Sequence, residues 1–225
     1  MKEKGLKMAK SESSYKGNVG SKKALAMVLS GLEGFNRPKV RVEQYETDGE
    51  IAAEVLWDAY MKGNIGKVSV DLGCGAGILG IGMLILGAKK VIFVDSDENV
   101  LKTAKNNLLK VKSKISVDGE AKFVCSDVRE FNGKSDLVVE NPPFGVKLKH
   151  IDKVFLGKAF ETSNVVYSFH KSESKKFIDA FSRDNGFKIT NVWDFEFPLK
   201  ASQSFHTRKI RRINVSCFRI EKNIG

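Results

Sequence analysis

Four successive residues, Asn141-Pro142-Pro143-Phe144, have the composition of a catalytic turn, and they follow a predicted strand that ends at Glu140. Two prolines remove two amide donors and fix two φ angles, and the first keeps Asn141 out of the helical region. The Asn141 side-chain oxygen and the Pro142 carbonyl can accept both hydrogens of a planar amine, which frees its lone pair for methylation. Phe144 offers a face on which an extruded adenine can stack. This chemistry needs no titrating base.

A second motif, Asp71-Leu-Gly-Cys-Gly-Ala-Gly77, follows another predicted strand, and its glycines allow a sharp turn and close approach to a ligand. Residues 75–80 also match the GxGxxG pattern of dinucleotide sites, but the Asp71 carboxylate would repel a diphosphate. S-adenosylmethionine, a sulfonium nucleotide without phosphates, tolerates that charge. Asp95 and Asp127 each follow a later strand. Asp95 could accept hydrogen bonds from both ribose hydroxyls, and Asp127 could accept one from an adenine amino group. Asp127 alone fits a turn equally well.

For these motifs to form one site, the strands before them must end at the same edge of a sheet. The hydrophobic pattern predicts such strands. Short apolar strands alternate with helices from Gly66 onward, which is typical of parallel βαβ units in a doubly wound sheet that binds ligands at the carboxyl ends of its strands. Two helices precede the sheet, one capped by Ser21 and ended by Gly34, the other from Asp48 to about Met61. The last strands, at about 188–197 and 212–220, could pair antiparallel.

The predicted fold class is therefore α/β: a doubly wound, mostly parallel seven-stranded Rossmann-like methyltransferase sheet with an antiparallel last strand and N-terminal helices. We expect residues 1–20 to be a disordered basic tail and residues 21–225 to form a single domain. Within that domain, we expect residues 21–65 to close over the cofactor.

Composition favours a polyanionic partner. The 225 residues carry 38 Lys and Arg against 27 Asp and Glu, a net charge of +11, which favours nucleic acid. Three cysteines without metal-ligand spacing argue against a disulfide framework and a zinc site, so no metal is expected. No apolar run reaches the roughly 18 residues of a membrane span. Because the N-terminus resembles no secretory signal, we expect a cytoplasmic protein without membrane partners.

Two basic segments are candidate RNA contacts. Residues 200–212 contain five cations, no acid, and the aromatic Phe205, as in RNA-facing loops. A second group follows the catalytic turn. We expect His170 to form structural hydrogen bonds rather than act as a base, and we expect its neighbour Lys171 to contact the substrate. The predicted RNA-binding residues are Lys147, Lys149, Lys171, Lys200, Arg208, Lys209, Arg211 and Arg212.

The motifs together resemble the class I S-adenosylmethionine-dependent methyltransferases with an NPPF motif. Two further segments, Val42-Glu-Gln-Tyr-Glu-Thr47 and Val166-Tyr-Ser-Phe-His-Lys171, resemble the methyltransferase-like subfamily that makes N6-methyladenosine in small-subunit ribosomal RNA. The likeness runs from about residue 21 to 221. It implies an RNA adenine-N6 methyltransferase with S-adenosylmethionine as cofactor. Eukaryotic members bind a small zinc-containing activator protein through a sheet edge, and the short motifs leave open whether this chain does.

The resemblance also implies a set of site residues. Gln44 and Thr47 match the segment that closes over the cofactor, and Asn141 to Phe144 match the catalytic turn. The implied cofactor-binding residues are Gln44, Thr47, Asp71, Gly73, Gly75, Ala76, Gly77, Ile78, Asp95, Asp127, Val128 and Asn141, and the implied catalytic residues are Asn141, Pro142, Pro143 and Phe144.

Three other functions stay open on the sequence. A protein glutamine offers another planar amide nitrogen, although Phe144 and the charge of +11 disfavour it. A non-catalytic RNA-binding or ribosome-assembly factor could use the same scaffold, but Asp71, Asp95 and Asn141 speak against a dead site. An NAD oxidoreductase is the third alternative.

Overall fold

The computed structural model describes residues 19–34, 47–144, 151–199 and 211–223, with the backbone alone at 198, 199 and 211. These residues form six α-helices, two short 3-10 turns and seven strands. The helices are α1 (Lys22–Ser30), α2 (Gly49–Met61), α3 (Ile78–Ile85), α4 (Glu98–Lys112), α5 (Ile151–Thr162) and α6 (Lys175–Asp184). The strands are β1 (Val68–Leu72), β2 (Lys90–Asp95), β3 (Glu120–Cys125), β4 (Leu137–Glu140), β5 (Val165–Lys171), β6 (Phe187–Leu199) and β7 (Arg211–Lys222).

The strands build one sheet in the order β3-β2-β1-β4-β5-β7-β6. Strands β1 to β5 pair in parallel, whereas β7 lies antiparallel to both β5 and β6. The predicted mostly parallel, doubly wound sheet with an antiparallel last strand is confirmed. The strand order reverses at β1 and β4: strands β2 and β3 are added on one side of β1, and the later strands on the other side. Such sheets bind ligands at this switch point.

Apolar side chains from the two faces of the sheet form two cores. One face packs against α1, α2, α3 and α4, with Leu56, Ile81 and Phe93 among its fully buried members. The other face packs against α5 and α6 through residues such as Leu156 and Ile178. Successive side chains of a strand point to opposite faces of the sheet, and the central strands are buried on both faces, so helices cover the sheet on each side in a three-layer arrangement.

Capping side chains set the starts of the N-terminal helices as predicted. The Ser21 hydroxyl accepts a hydrogen bond from the Ala24 amide at 3.2 Å, and Asp48 accepts one from the Glu50 amide at 2.8 Å. The predicted end of α1 at Gly34 is wrong. The helix ends at Ser30, because Gly31 leaves the helix and its amide closes a tight turn onto Val28.

Most of the predicted tail, residues 1–18, lies outside the described residues, as do residues 35–46 of the predicted closing segment. In the part of the chain that is described, no helix is both long enough and apolar enough to cross a membrane. The same residues contain no cluster of His, Cys, Asp and Glu that could hold a metal ion.

Candidate active site

The two motifs leave the sheet side by side. Leu72, the last residue of β1, pairs with Glu140, the last residue of β4. The glycine-rich loop at Gly73 and the turn at Asn141 therefore begin on neighbouring strands at the same edge of the sheet. Asp95 ends β2 on the other side of β1, so three predicted site segments share this edge.

The loop from Gly73 to Gly77 has a backbone that only glycine adopts without strain. Its three glycines have φ values of 72°, 52° and 87°. A Cβ atom at Gly73 would lie 2.6 Å from the Phe155 ring, and one at Gly77 would lie 2.9 Å from the Ala104 Cβ. Gly73 and Gly77 are therefore fixed by both conformation and space, and the positive φ values give the loop the tight turn that a nucleoside cofactor site needs.

Asp71 supports this loop from beneath. Its side chain is buried, and Oδ2 accepts a hydrogen bond from the Gly80 amide at 2.7 Å in the first turn of α3. Because Gly77 offers α3 no capping side chain, Asp71 supplies the acceptor. Burial, aided by the charge of Asp95, raises the pKa of Asp71 to about 7. The expected repulsion of a diphosphate is therefore weaker than a fully ionised carboxylate would exert.

Asp95 faces the loop from the end of β2. Its two carboxylate oxygens accept hydrogen bonds from the Gly75 and Asp97 amides, each at 2.9 Å. Burial raises the pKa of Asp95, and these amide bonds oppose that rise. Each carboxylate oxygen retains a second lone pair that could accept a ribose hydroxyl. The donor set at this edge fits a nucleoside cofactor, and the ribose role of Asp95 stays a prediction.

Asp127 caps the short 3-10 turn Val128–Glu130, which agrees with the turn role that its sequence fits equally well. Its Oδ1 accepts from the Arg129 amide at 2.8 Å, and its Oδ2 lies 3.0 Å from the Arg129 guanidinium. Val128 follows it and is buried. The adenine contacts predicted for these two residues stay predictions.

The catalytic turn is anchored by a residue from the N-terminal part of the chain. The Asn141 side-chain nitrogen donates a hydrogen bond to the buried Thr47 hydroxyl at 2.9 Å. The amide nitrogen therefore faces Thr47, and the amide oxygen points away from it. Pro142 is buried, and the half-buried Phe144 ring meets Phe197 edge-on at 6.4 Å between centroids. The structure thus brings together Thr47 and Asn141, which are 94 positions apart.

A buried polar group beneath this turn was missed in the sequence. The Ser168 hydroxyl is hydrogen bonded to Glu140 Oε1 at 2.7 Å and lies 2.6 Å from His170 Nε2. Burial raises the pKa of Glu140 to about 8 and lowers the pKa of His170 to about 3, so both groups are largely neutral near pH 7. An acid at the end of the apolar run Leu-Val-Val-Glu was the available signal. Buried His170 fits the predicted structural role.

Two of the predicted RNA contacts have described side chains. Lys171 ends β5 at the same edge as Asn141, because β4 and β5 are parallel. Arg212 lies near the start of antiparallel β7, beyond that edge, and forms an exposed ion pair with Glu196 at 2.7 Å. Arg211 is described only by its backbone in β7. Gln44, Lys147, Lys149, Lys200, Arg208 and Lys209 lie outside the described residues.

Known proteins resemble this chain over nearly its whole length. An uncharacterized protein of Methanocaldococcus jannaschii is 38% identical over 213 residues, which is 89% of this chain and 94% of the relative. The rRNA N(6)-adenosine-methyltransferase METTL5 of Danio rerio is 33% identical over 201 residues, or 88% of this chain and 97% of the relative. A crystal structure from Pyrococcus horikoshii, described as a candidate RNA methyltransferase, is 44% identical with a TM-score of 0.79 and covers 90% of this chain and 98% of its own.

The family model of the methyltransferase small domain matches residues 47–164, which span the sheet from before β1 to the end of α5. The match contains the glycine-rich loop, Asp95 and the Asn141 turn. The chain belongs to the methyltransferase small domain family, and within it to the group that includes the rRNA N(6)-adenosine-methyltransferase METTL5.

Proposed function

We propose that this chain is an S-adenosylmethionine-dependent methyltransferase that methylates N6 of adenine in RNA, in particular small-subunit ribosomal RNA. The observation that carries this proposal is the Asn141 amide, held by Thr47 at the sheet edge where the glycine-rich loop also begins. The family and the named activity of the METTL5 relatives support it. Action on ribosomal RNA agrees with the expected cytoplasmic location.

The cofactor would lie on the glycine-rich loop. Asp95 would accept its ribose hydroxyls, and the turn from Gly73 to Gly77 would let its backbone approach closely because no Cβ intervenes. When bound, S-adenosylmethionine supplies an electrophilic methyl group on a sulfonium. The neighbouring loop and turn would bring the acceptor nitrogen to this methyl group from the β4 side.

The catalytic turn acts on the acceptor by positioning and electrostatics. Because the Asn141 nitrogen is engaged by Thr47, its oxygen is the end that would accept one hydrogen of the adenine amino group. The Pro142 carbonyl would accept the other, and the nitrogen lone pair would then point at the methyl group. Phe144 would stack on the extruded base. Glu140 and His170 lie nearby but are buried, so neither is assigned as a base, and the methylated nitrogen would release its extra proton to water.

Replacing Asn141 tests the assignment. Asn141→Ala should abolish methyl transfer to RNA while cofactor affinity, measured by calorimetry, stays near the wild-type value. Asn132→Ala, a change at an exposed asparagine, is the matched control. Mass spectrometry of nucleosides from treated RNA should show N6-methyladenosine with the wild type and the control. Wild-type activity in Asn141→Ala would refute the proposed role, and methyl transfer to protein instead of RNA would favour the glutamine alternative.

We also propose that a small zinc-containing protein docks on a sheet edge of this chain, as such proteins do in eukaryotic members of the family that it resembles. Strand β3 ends the sheet on one side and has exposed side chains at Glu120, Lys122 and Cys125. An unpaired strand edge of this kind needs cover or a partner strand. Co-expression with such a protein should yield an equimolar complex in sizing chromatography. Separate elution, with full activity of this chain alone, would reject this proposal and leave the methyltransferase assignment intact.

A further inference from the structure

One buried amide, that of Asn107 on α4, joins two separate parts of the chain. Its nitrogen donates hydrogen bonds to the Glu33 carbonyl at 2.8 Å and to the Ala76 carbonyl at 3.0 Å. Its oxygen accepts a hydrogen bond from the Glu33 amide at 2.9 Å. The side chain is fully buried, and both of its polar atoms are engaged. Asn107 is therefore a fixed bridge between the residues after α1 and the glycine-rich loop.

Both ends of this bridge adjoin the proposed cofactor site. Ala76 lies inside the loop from Gly73 to Gly77, so its carbonyl position helps to define the loop. Glu33 lies at the start of the stretch that leads to Thr47, and its carboxylate forms an exposed ion pair with Lys110, one turn beyond Asn107 on α4. The stretch from Glu33 to Thr47 is thus tied at its first residue to the cofactor loop and at its last to Asn141.

We propose that Asn107 is a positioning residue for the cofactor. It holds the loop in its binding geometry and couples the loop to the start of the segment that ends at Thr47. This inference rests on the proposed function, because it assumes that the cofactor lies on the loop. Since Asn107 acts through Ala76 and Glu33, its removal should change cofactor affinity and leave the chemical step nearly unchanged.

An aspartate at this position separates shape from hydrogen bonding. Asn107→Asp keeps the size of the side chain and the acceptor for the Glu33 amide. It loses both donated bonds and places carboxylate oxygen against the Glu33 and Ala76 carbonyls, which leaves a buried acceptor unpaired. The loop from Gly73 to Gly77 then loses its bond to Asn107, so the cofactor must order the loop when it binds. We expect S-adenosylmethionine affinity to fall by about tenfold or more, whereas kcat at saturating cofactor stays within about twofold.

Asn106→Asp is the matched control, because Asn106 is the exposed neighbour on α4 and the change in charge is the same. Calorimetric titration with S-adenosylmethionine and steady-state kinetics should show a raised Kd and KM in Asn107→Asp alone. An unchanged Kd in a folded Asn107→Asp, or a lowered kcat without a change in Kd, would overturn the inference. Wild-type protein that fails to bind S-adenosylmethionine would instead reject the proposed function on which the inference rests.

Hydrogen exchange on the wild type provides a test that does not depend on a variant folding. The Glu33 amide exchanges only when its bond to Asn107 opens. Cofactor binding should therefore slow exchange at Glu33, together with the loop amides from Gly73 to Gly77. The Leu32 amide, which bonds to the Leu29 carbonyl, is the internal control and should change little. Protection of the loop with unchanged exchange at Glu33 would contradict the proposed coupling.

Discussion

The orientation of one amide, that of Asn141, depends on a hydroxyl from another part of the chain. Thr47 accepts a hydrogen bond from the Asn141 nitrogen, and in the proposed mechanism the amide oxygen is the end that would accept a hydrogen of the substrate. Thr47→Val keeps the shape of the side chain but removes that acceptor. The amide can then turn over and present its nitrogen to the substrate. We expect kcat for methyl transfer to fall by roughly tenfold, in proportion to a lost hydrogen bond of about 1.4 kcal/mol.

Thr47→Ser retains the hydroxyl and is the control for this change. Its kcat should stay within about twofold of the wild type. Single-turnover rates at saturating RNA and cofactor measure the effect directly, because they exclude product release. Equal rates for the valine and serine variants would show that Thr47 does not orient Asn141.

Glu140 makes the stability of the fold depend on pH. Its pKa is about 8 in the folded protein against an ordinary value of 4.5, because burial disfavours the carboxylate. Between these values the folded state binds more protons than the unfolded state, so the free energy of unfolding falls as pH rises. Glu140→Gln removes this contribution. Between pH 6.5 and 8.0, we expect the variant to lose about 1–2 kcal/mol less stability than the wild type.

The pH range isolates Glu140 from its neighbour in the buried group. His170 has a folded pKa near 3, so its contribution is lost as pH falls below its ordinary value of 6.5 and is nearly constant above it. Asp71, with a pKa of about 7, acts in the same direction as Glu140 and remains in both proteins. Denaturant unfolding at each pH provides the measurement. Parallel stability profiles for variant and wild type would refute the prediction.

At the scale of elements, two glycines inside helices should respond in opposite ways to the same substitution. A Cβ at Gly80 of α3 would lie 2.2 Å from the Phe93 ring, which is stacked on Phe123. Gly80→Ala must displace that ring or the helix, and we expect it to lower the free energy of unfolding by about 1–3 kcal/mol. A Cβ at Gly157 of α5 would lie 3.9 Å from Phe181, an ordinary contact.

Gly157→Ala therefore serves as the matched control. It gains helix propensity without a clash and should raise stability by about 0.5–1 kcal/mol. Urea unfolding of both variants tests the pair. A neutral Gly80→Ala would mean that α3 can move away from β2, and the close packing of α3 on β2 would then not require glycine at this position.

The spacing of apolar residues, helical or alternating, predicted the helices and strands well because it depends only on residues that are close in the sequence. The caps at Ser21 and Asp48 were predicted from residue type, since a short polar side chain before an apolar run reaches the first amides. The end of α1 was misplaced at Gly34, because Gly31 and Gly34 offer the same stop signal in the sequence, and the chain leaves the helix at the first of them.

The candidate site shows the same division between local and long-range information. The loop and the turn at Asn141 were predicted because each is a contiguous motif after a strand. The hydrogen bonds of Asn107 and the group of Glu140, Ser168 and His170 were not predicted. Asn107 and Glu140 each bond to a residue of another element, and sequence spacing does not show which residue that is, although the acid at the end of an apolar run marked Glu140 itself.

At the scale of the whole molecule, lysines lie both where the parallel strands end and where they begin. Lys171 ends β5 at the edge that carries the catalytic turn, whereas Lys89 lies just before β2 at the opposite edge, where the parallel strands begin. The net charge of +11 favours RNA binding over the whole surface, whereas under the proposed function cations near the turn would contact the phosphates next to a bound adenosine. Position should therefore matter more than total charge.

Lys171→Gln and Lys89→Gln separate these two effects, since each lowers the net charge by one. Binding of a ribosomal RNA fragment should weaken in Lys171→Gln, and the slope of log K against log salt should become shallower by about one. Lys89→Gln should retain both the affinity and the slope of the wild type. Fluorescence anisotropy titrations across a range of salt concentrations provide both quantities. If the two variants lose affinity equally, RNA binding follows net charge alone, and the edge at the catalytic turn has no privileged role in recognition.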